Sequence, residues 1–230
     1  MSKYLVLITL FYSFSCVTTL LAEDGESRPY DRAIDFIENK MIGKTLETKV
    51  VTKINKGNIE TEFHRRVLYT NLVKTEDSAS FDAIILIRQR LWDLNENGKR
   101  KSETPREKNR ALVLRYGVHA LKSTNGIIGN SIPLLNSMTS SFGEGSTIQL
   151  FVEKDKLKMI TATPLYSEGF GKDDSWIPLA SSVTTTFSSN EGKLSAIETE
   201  EGFNVDPDTL KRQPSGHCVT LHSKEIPGLY

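Results

Sequence analysis

The chain has 230 residues, 38% of them hydrophobic and 25% charged, which suffices for one large domain with a sizeable buried core. Its 29 basic side chains are matched by 29 acidic ones, so charge gives no basis for a nucleic-acid surface or an anionic membrane as the organising partner. The only cysteines are Cys16 and Cys218, and no Asn-x-Ser/Thr acceptor site occurs.

At the N-terminus Lys3 precedes an apolar run from Tyr4 to Phe14, and Leu20-Leu21-Ala22 leads into Glu23-Asp24-Gly25-Glu26. This is the layout of a secretory signal peptide over residues 1–22, with cleavage near Ala22 and export to a periplasmic or extracellular space. Residues 4–22 are just long enough for an uncleaved anchor, but their serines and threonines dilute the apolar run, so no stable transmembrane span is expected in the mature chain. Removing residues 1–22 takes away Cys16. Cys218 is then without an internal disulfide partner, and stability must come from the core.

Residues 23–230 read as a single β-rich domain. After an acidic linker, Pro29 opens an amphipathic helix over residues 29–41, with Tyr30, Ala33, Ile34, Ile37 and Met41 at helical spacing and Gly43 as the stop signal. Such a helix covers one end of a core or a barrel mouth. Leu46 to Ile54 predicts a first strand. Ile59 to Leu94 then carries two runs of strict alternation separated by Lys74-Thr75-Glu76-Asp77, the pattern of a long antiparallel hairpin. Ile59, Thr61, Phe63, Arg65, Val67 and Tyr69 share one face of its first strand. Phe81, Ala83, Ile85, Ile87 and Leu91 share one face of the second.

The charged stretch Lys99 to Arg110 holds six basic and two acidic side chains without interleaved aromatics, as in a solvated loop. Ala111 to Leu121 resumes the alternation. Residues 123–146 are rich in Gly, Ser and Asn yet contain Leu134, Leu135, Met138 and Phe142, which would share one face of a short helix after Pro133. A polar frame carrying an apolar patch suits a lid-like loop over an apolar pocket, or a crossover that closes the core. Short strands follow at Thr147 to Glu153, Leu157 to Thr163, Ser182 to Ser188, Lys193 to Glu200 and Gly216 to His222. About eight or nine antiparallel strands with one N-terminal helix predict a mainly β fold, either a closed barrel or a strongly curved sheet.

Motifs with defined chemistry are sparse. Asp93, Asn95, Asn97 and Gly98 imitate the start of a calcium loop, but Thr104 stands where the bidentate carboxylate belongs, and Asn-Gly is a common turn pair. His217, Cys218 and His222 lie close together without a second ligand pair, and His64 and His119 stand alone, so no metal is expected. No nucleophile elbow, zinc-protease helix, P-loop or dinucleotide fingerprint occurs, so neither catalytic residues nor a cofactor can be assigned. The carboxylate pairs Asp173-Asp174 and Glu198/Glu200 would serve a hydrolase only if facing one another across a groove.

One polar placement stands out. Arg65 falls on the otherwise apolar face of its strand, which is costly unless the guanidinium is paired or lines a wet cavity. An interior with Arg65, Tyr69, Gln89 and Tyr116 as polar fixings, roofed by Leu134, Leu135, Met138 and Phe142, would suit an apolar or amphipathic, lipid-like small molecule with an acidic head. The expected function is thus that of an exported, non-enzymatic ligand-binding β domain. The alternative is a structural or interaction module of the cell envelope that acts through its surface.

Overall fold

A computed structural model describes residues 27–54, 59–121, 126–136, 146–167, 177–205 and 212–228. Ten antiparallel strands close into an up-and-down barrel, each paired with its neighbours in sequence. They are β1 (Thr45–Ile54), β2 (Ile59–Lys74), β3 (Ser78–Asp93), β4 (Arg106–Ala120), β5 (Ile127–Asn136), β6 (Ser146–Glu153), β7 (Lys156–Ser167), β8 (Ile177–Asn190), β9 (Lys193–Val205) and β10 (Arg212–Ile226). The seam between β1 and β10 pairs Thr45 with Ile226 through Thr48 with Ser223. Inside it, the Thr48 and Ser223 hydroxyls lie 2.6 Å apart. Closure leaves no long unpaired edge where another chain could add a strand.

The barrel and its N-terminal helix are as the alternation predicts, with one strand more. The tenth is β5, which occupies part of the segment expected to be a loop. Leu134 and Leu135 therefore lie on a strand, not on a short helix, while Met138 and Phe142 lie outside the described residues. Pro133 is tolerated because the ladder with β4 shifts register between Val113 and Leu114, and the pairing with β6 ends at Ser131. Strand β4 likewise begins at Arg106, within the charged stretch, since ladder hydrogen bonds do not require apolar side chains. The segments that carry the expected signal peptide lie outside the described residues.

A helix α1 (Pro29–Phe36) continues into a π-helical turn (Ile37–Met41), together covering the expected helical span. Tyr30, Ala33, Ile34, Ile37 and Met41 are buried in one cluster with Leu46, Tyr69, Phe81, Leu150, Leu157, Phe187 and Leu194. These strand residues lie near the hairpin turns at 75–77, 154–155 and 191–192, so the helix plugs that end of the barrel. Ion pairs fasten it to the rim: Arg28, which also pairs with Asp31 of the helix itself, reaches Asp77 at 2.9 Å, and Lys74 pairs with Glu38. All are solvent-accessible and screened by water, so burial of the apolar stripe does most of the holding.

Candidate functional site

Strand alternation and register divide the barrel interior into layers. Next to the plug lies an aromatic layer in which Phe81 stacks on Tyr116 with centroids 5.0 Å apart and Phe187 meets Tyr69 edge-on at 5.7 Å. Tyr69 and Tyr116 are fully enclosed. Burial raises both phenols well above the usual range, that of Tyr116 to about 12.

Above the aromatic layer sits a polar floor. Arg65 on β2 and Glu198 on β9 form a bidentate pair with both contacts at 3.0 Å, and Arg65 also donates to the Thr48 hydroxyl at 3.3 Å. Two strands separate β2 from β9 around the barrel, and the pair reaches across them because Thr48 and Ser223, on β1 and β10, are small. The two side chains keep 18% and 19% exposure although both point inward. Solvent can reach them only from the far side, since the layer beneath is closed by Val67, Tyr69, Phe81, Tyr116 and Phe187. The Arg65 Nε is buried without a hydrogen-bond partner among the described residues.

Beyond the floor the interior changes again. The register places Phe63, Val50, Ile87, Gln89 and Leu91 on the inward face toward the end opposite the plug. All five are only half-buried, and Arg106, Lys108 and Arg110, which the register puts on the same face of β4, are exposed; below the floor most inward side chains are buried, with Ile85 and Leu114 half-buried. An inward apolar side chain is half-buried when the space in front of it is not filled by other side chains.

The residues singled out in the sequence therefore divide into three groups. Arg65, Tyr69 and Tyr116 come together at the floor and just beneath it, and Gln89 faces the same interior nearer the open end, opposite Phe63. Leu134 and Leu135 are exposed on β5, at 47% and 55%. Met138 and Phe142 are outside the described residues. Sequence reasoning named Glu198 only as half of a carboxylate pair with Glu200, not as the partner of Arg65, and it missed Thr48 and Ser223. The signal for Glu198 was present, since Leu194, Ala196 and Glu198 share a strand face, which puts an acid in the same interior as the anomalous arginine.

The outer wall of β1 to β3 carries a second polar network. His64 Nε2 lies 2.7 Å from Glu47 Oε1, and an Arg88 guanidinium nitrogen lies 3.2 Å from His64 Nδ1. Arginine can only donate, so Nδ1 accepts and the Nε2–H donates to Glu47. That hydrogen bond, with a further one from Arg66, holds the Glu47 carboxyl below its ordinary range. Arg115 of β4 and Asn71 of β2 do the same for Asp82 on β3. His64 is thus a satisfied structural histidine. At the open end Arg100 lies over the Trp92 ring, 3.8 Å from its centroid, and pairs with Glu60. The would-be calcium loop is an ordinary turn in which Asn95 Oδ1 accepts from the backbone of Asn97 and Lys99, at 3.0 and 2.9 Å. Among the described residues no cluster of three or more metal-ligating side chains occurs.

No protein-family model, curated protein or solved structure matches this chain. What the barrel does must be argued from its own geometry.

Proposed function

We propose that this is an exported carrier that holds an apolar or amphipathic small molecule in the half of the barrel above the Arg65–Glu198 floor. The observation that carries the reading is the contrast in burial along the inward face. Phe63, Ile87 and Leu91 stay half-buried inside a closed barrel, and the floor beneath them stays accessible. Eight strands enclose an interior that side chains can just fill, so ten enclose more than the side chains need. The walls are apolar on β1 to β3 and cationic on β4, where Arg106, Lys108 and Arg110 share the inward face, a combination that suits an amphipathic guest. The outer face carries Glu62, Arg66, Arg88, Arg90 and Arg115, charges of a kind that a barrel crossing a bilayer would have to keep off its lipid-facing band. Among the described residues no helix is long and apolar enough to cross a membrane. At the floor the polar groups are used to match one another, Arg65 by Glu198 and Thr48 by Ser223.

A neutral fluorophore that brightens in apolar surroundings, N-phenyl-1-naphthylamine, tests the reading. Titration into the purified mature chain should saturate near one molecule per barrel, and Ile87→Trp, which fills the chamber, should lower the affinity at least tenfold. Absence of saturable binding, or an Ile87→Trp variant that binds as well as the parent, would remove the carrier.

The exposed run of Ile132, Leu134 and Leu135 on β5, 45% to 55% accessible, favours a second reading in which the outer surface engages another component of the envelope. Leu134→Glu with Leu135→Glu should then abolish association with that component and leave fluorophore binding intact.

A further inference from the structure

The mouth of the chamber bears on which guest it accepts and which way round. We infer, building on the carrier reading, that the guest is a single-chain amphiphile with an anionic head, and that it lies tail-inward with that head at the open end against Lys108 and Arg110 of β4. One ladder row locates these cations. It runs from Ala196 on β9 through Ser223, Thr48, Arg65 and Ile87 to Arg110. Ala196, Ser223 and Thr48 are buried, the first of them in the cluster that holds the plug; Arg65 and Ile87 are half-buried, and Arg110 is exposed. Strands tilted against the barrel axis make such a row climb, here from the packed end to the open one. Arg110 therefore stands above the floor, and Lys108 and Arg106 follow it along β4 toward the mouth.

The acids that face the same interior stand elsewhere. Asp93 is taken up by Arg106 at 2.9 Å, and Glu198 by Arg65 at 3.0 Å. Glu198 and Glu200 look inward from β9, five strands from β4 whichever way the ten-strand ring is followed. Between Lys108 and Arg110 along the chain only Asn109 intervenes, and the neighbouring Glu107 points to the outer face, where Arg90 binds it at 3.0 Å. Lys108 has no ion-pair partner among the described residues. An anionic head carried down to the floor would meet the two β9 carboxylates, with the Arg65 charge already matched, whereas at the mouth it meets cations. Its tail would then run down the apolar wall formed by Leu91, Phe63, Ile87 and Val50.

Displacement of N-phenyl-1-naphthylamine from the mature chain at neutral pH reads both the sign and the place of the head. The probes are dodecanoate and dodecyltrimethylammonium, which share a chain length and carry opposite charges. Dodecanoate should bind at least tenfold more tightly, and the ratio should narrow as salt is raised, because the cations at the mouth are exposed. Lys108→Glu with Arg110→Glu should reverse the order. Both side chains are exposed, so the double substitution leaves the packed layers alone. Equal binding of the two probes, a preference for dodecyltrimethylammonium, or a preference for dodecanoate that the double substitution leaves unchanged would overturn the inference while leaving the carrier reading in place. If the fluorophore itself does not bind, it is the carrier reading that fails. The wild-type comparison needs no variant, so it bears on the sign of the head even if the double variant does not fold.

Discussion

The two ends of this barrel are built from the same alternating strands and finished in opposite ways. At one end the connections are tight turns, at 75–77, 154–155 and 191–192, and the helix buries Ile34, Ile37 and Met41 in one cluster with Phe187, Leu157 and Leu194. At the other end β3 and β4 are joined by the longer stretch 94–105, and the inward side chains Phe63, Ile87 and Leu91 are half-buried. A closed sheet needs only one well-packed layer to be stable. The amphipathic helix supplies that layer at a single end and leaves the other free for a different use.

The largest expected effect tests the packed end. Phe187 is fully buried, and Phe187→Ala should cost about 3–5 kcal/mol, read as a lower urea midpoint at unchanged slope. Ile37→Ala, which thins the plug itself, should cost about 2–5 kcal/mol. A loss below about 1 kcal/mol in both would mean that the helix is not what closes the barrel.

Alkali should find the layer just beneath the floor. In the unfolded chain Tyr116 ionises near 10.0, while in the folded barrel burial holds its phenol up at about 12. Its contribution to stability is therefore intact below pH 10 and lost as the pH rises from 10 to 12, by about 3 kcal/mol at 1.36 kcal/mol per unit. Tyr69, raised for the same reason, adds in the same direction. Tyr116→Phe should flatten the alkaline limb of the stability curve, and a limb equally steep in the variant would show that the Tyr116 hydroxyl is not enclosed.

Acid acts on the outer wall and the seam. Glu47 is held below its ordinary value chiefly by the His64 hydrogen bond, Asp82 chiefly by Arg115, and Glu225 chiefly by the Leu194 backbone N–H. Depressed carboxylates give stability that is present above their unfolded values, 4.5 for the two glutamates and 3.8 for Asp82, and lost as the pH falls through the folded ones. Denaturant midpoints taken from pH 6 down to pH 3 should therefore fall, less steeply in Glu47→Gln.

Much of this division was legible in the chain, for reasons that also explain the gaps. Period-two alternation from Ile59 onward follows from one face being dry, so it announced the strands and identified Arg65 as an inward charge. The helix showed itself through Pro29 and the spacing of Tyr30, Ile34, Ile37 and Met41. Strand β5 was hidden because Gly129, Asn130, Ser131 and Pro133 read as loop chemistry. Its pairing comes from long-range register with β4, which local composition does not encode. A β-carbon at Gly129 would lie 1.9 Å from the Gly117 carbonyl oxygen, so a residue that looked like a loop former is one that close strand packing requires. The Arg65–Glu198 pair depends on barrel closure, which brings β9 within reach of β2 across the seam. One half of it could be seen as an anomaly, but its partner could not be named before the topology was known.

The smallest effect on stability is the most direct test of the contrast between the ends. Phe63 lies on the same inward face as Val67 and Tyr69 but one row above the floor, and it is half-buried where they are buried. Complete burial of a phenylalanine is worth about 1.5–3 kcal/mol, so Phe63→Ala should cost only about 1 kcal/mol. The same change removes a wall of the chamber, and affinity for N-phenyl-1-naphthylamine should fall by about tenfold, equivalent to 1.4 kcal/mol. The two readouts must separate for the open end to be a binding surface: stability barely moves while binding weakens. If Phe63→Ala instead cost as much as Phe187→Ala and left the fluorophore unaffected, the upper half would be a second packed layer, and the barrel would be closed at both ends.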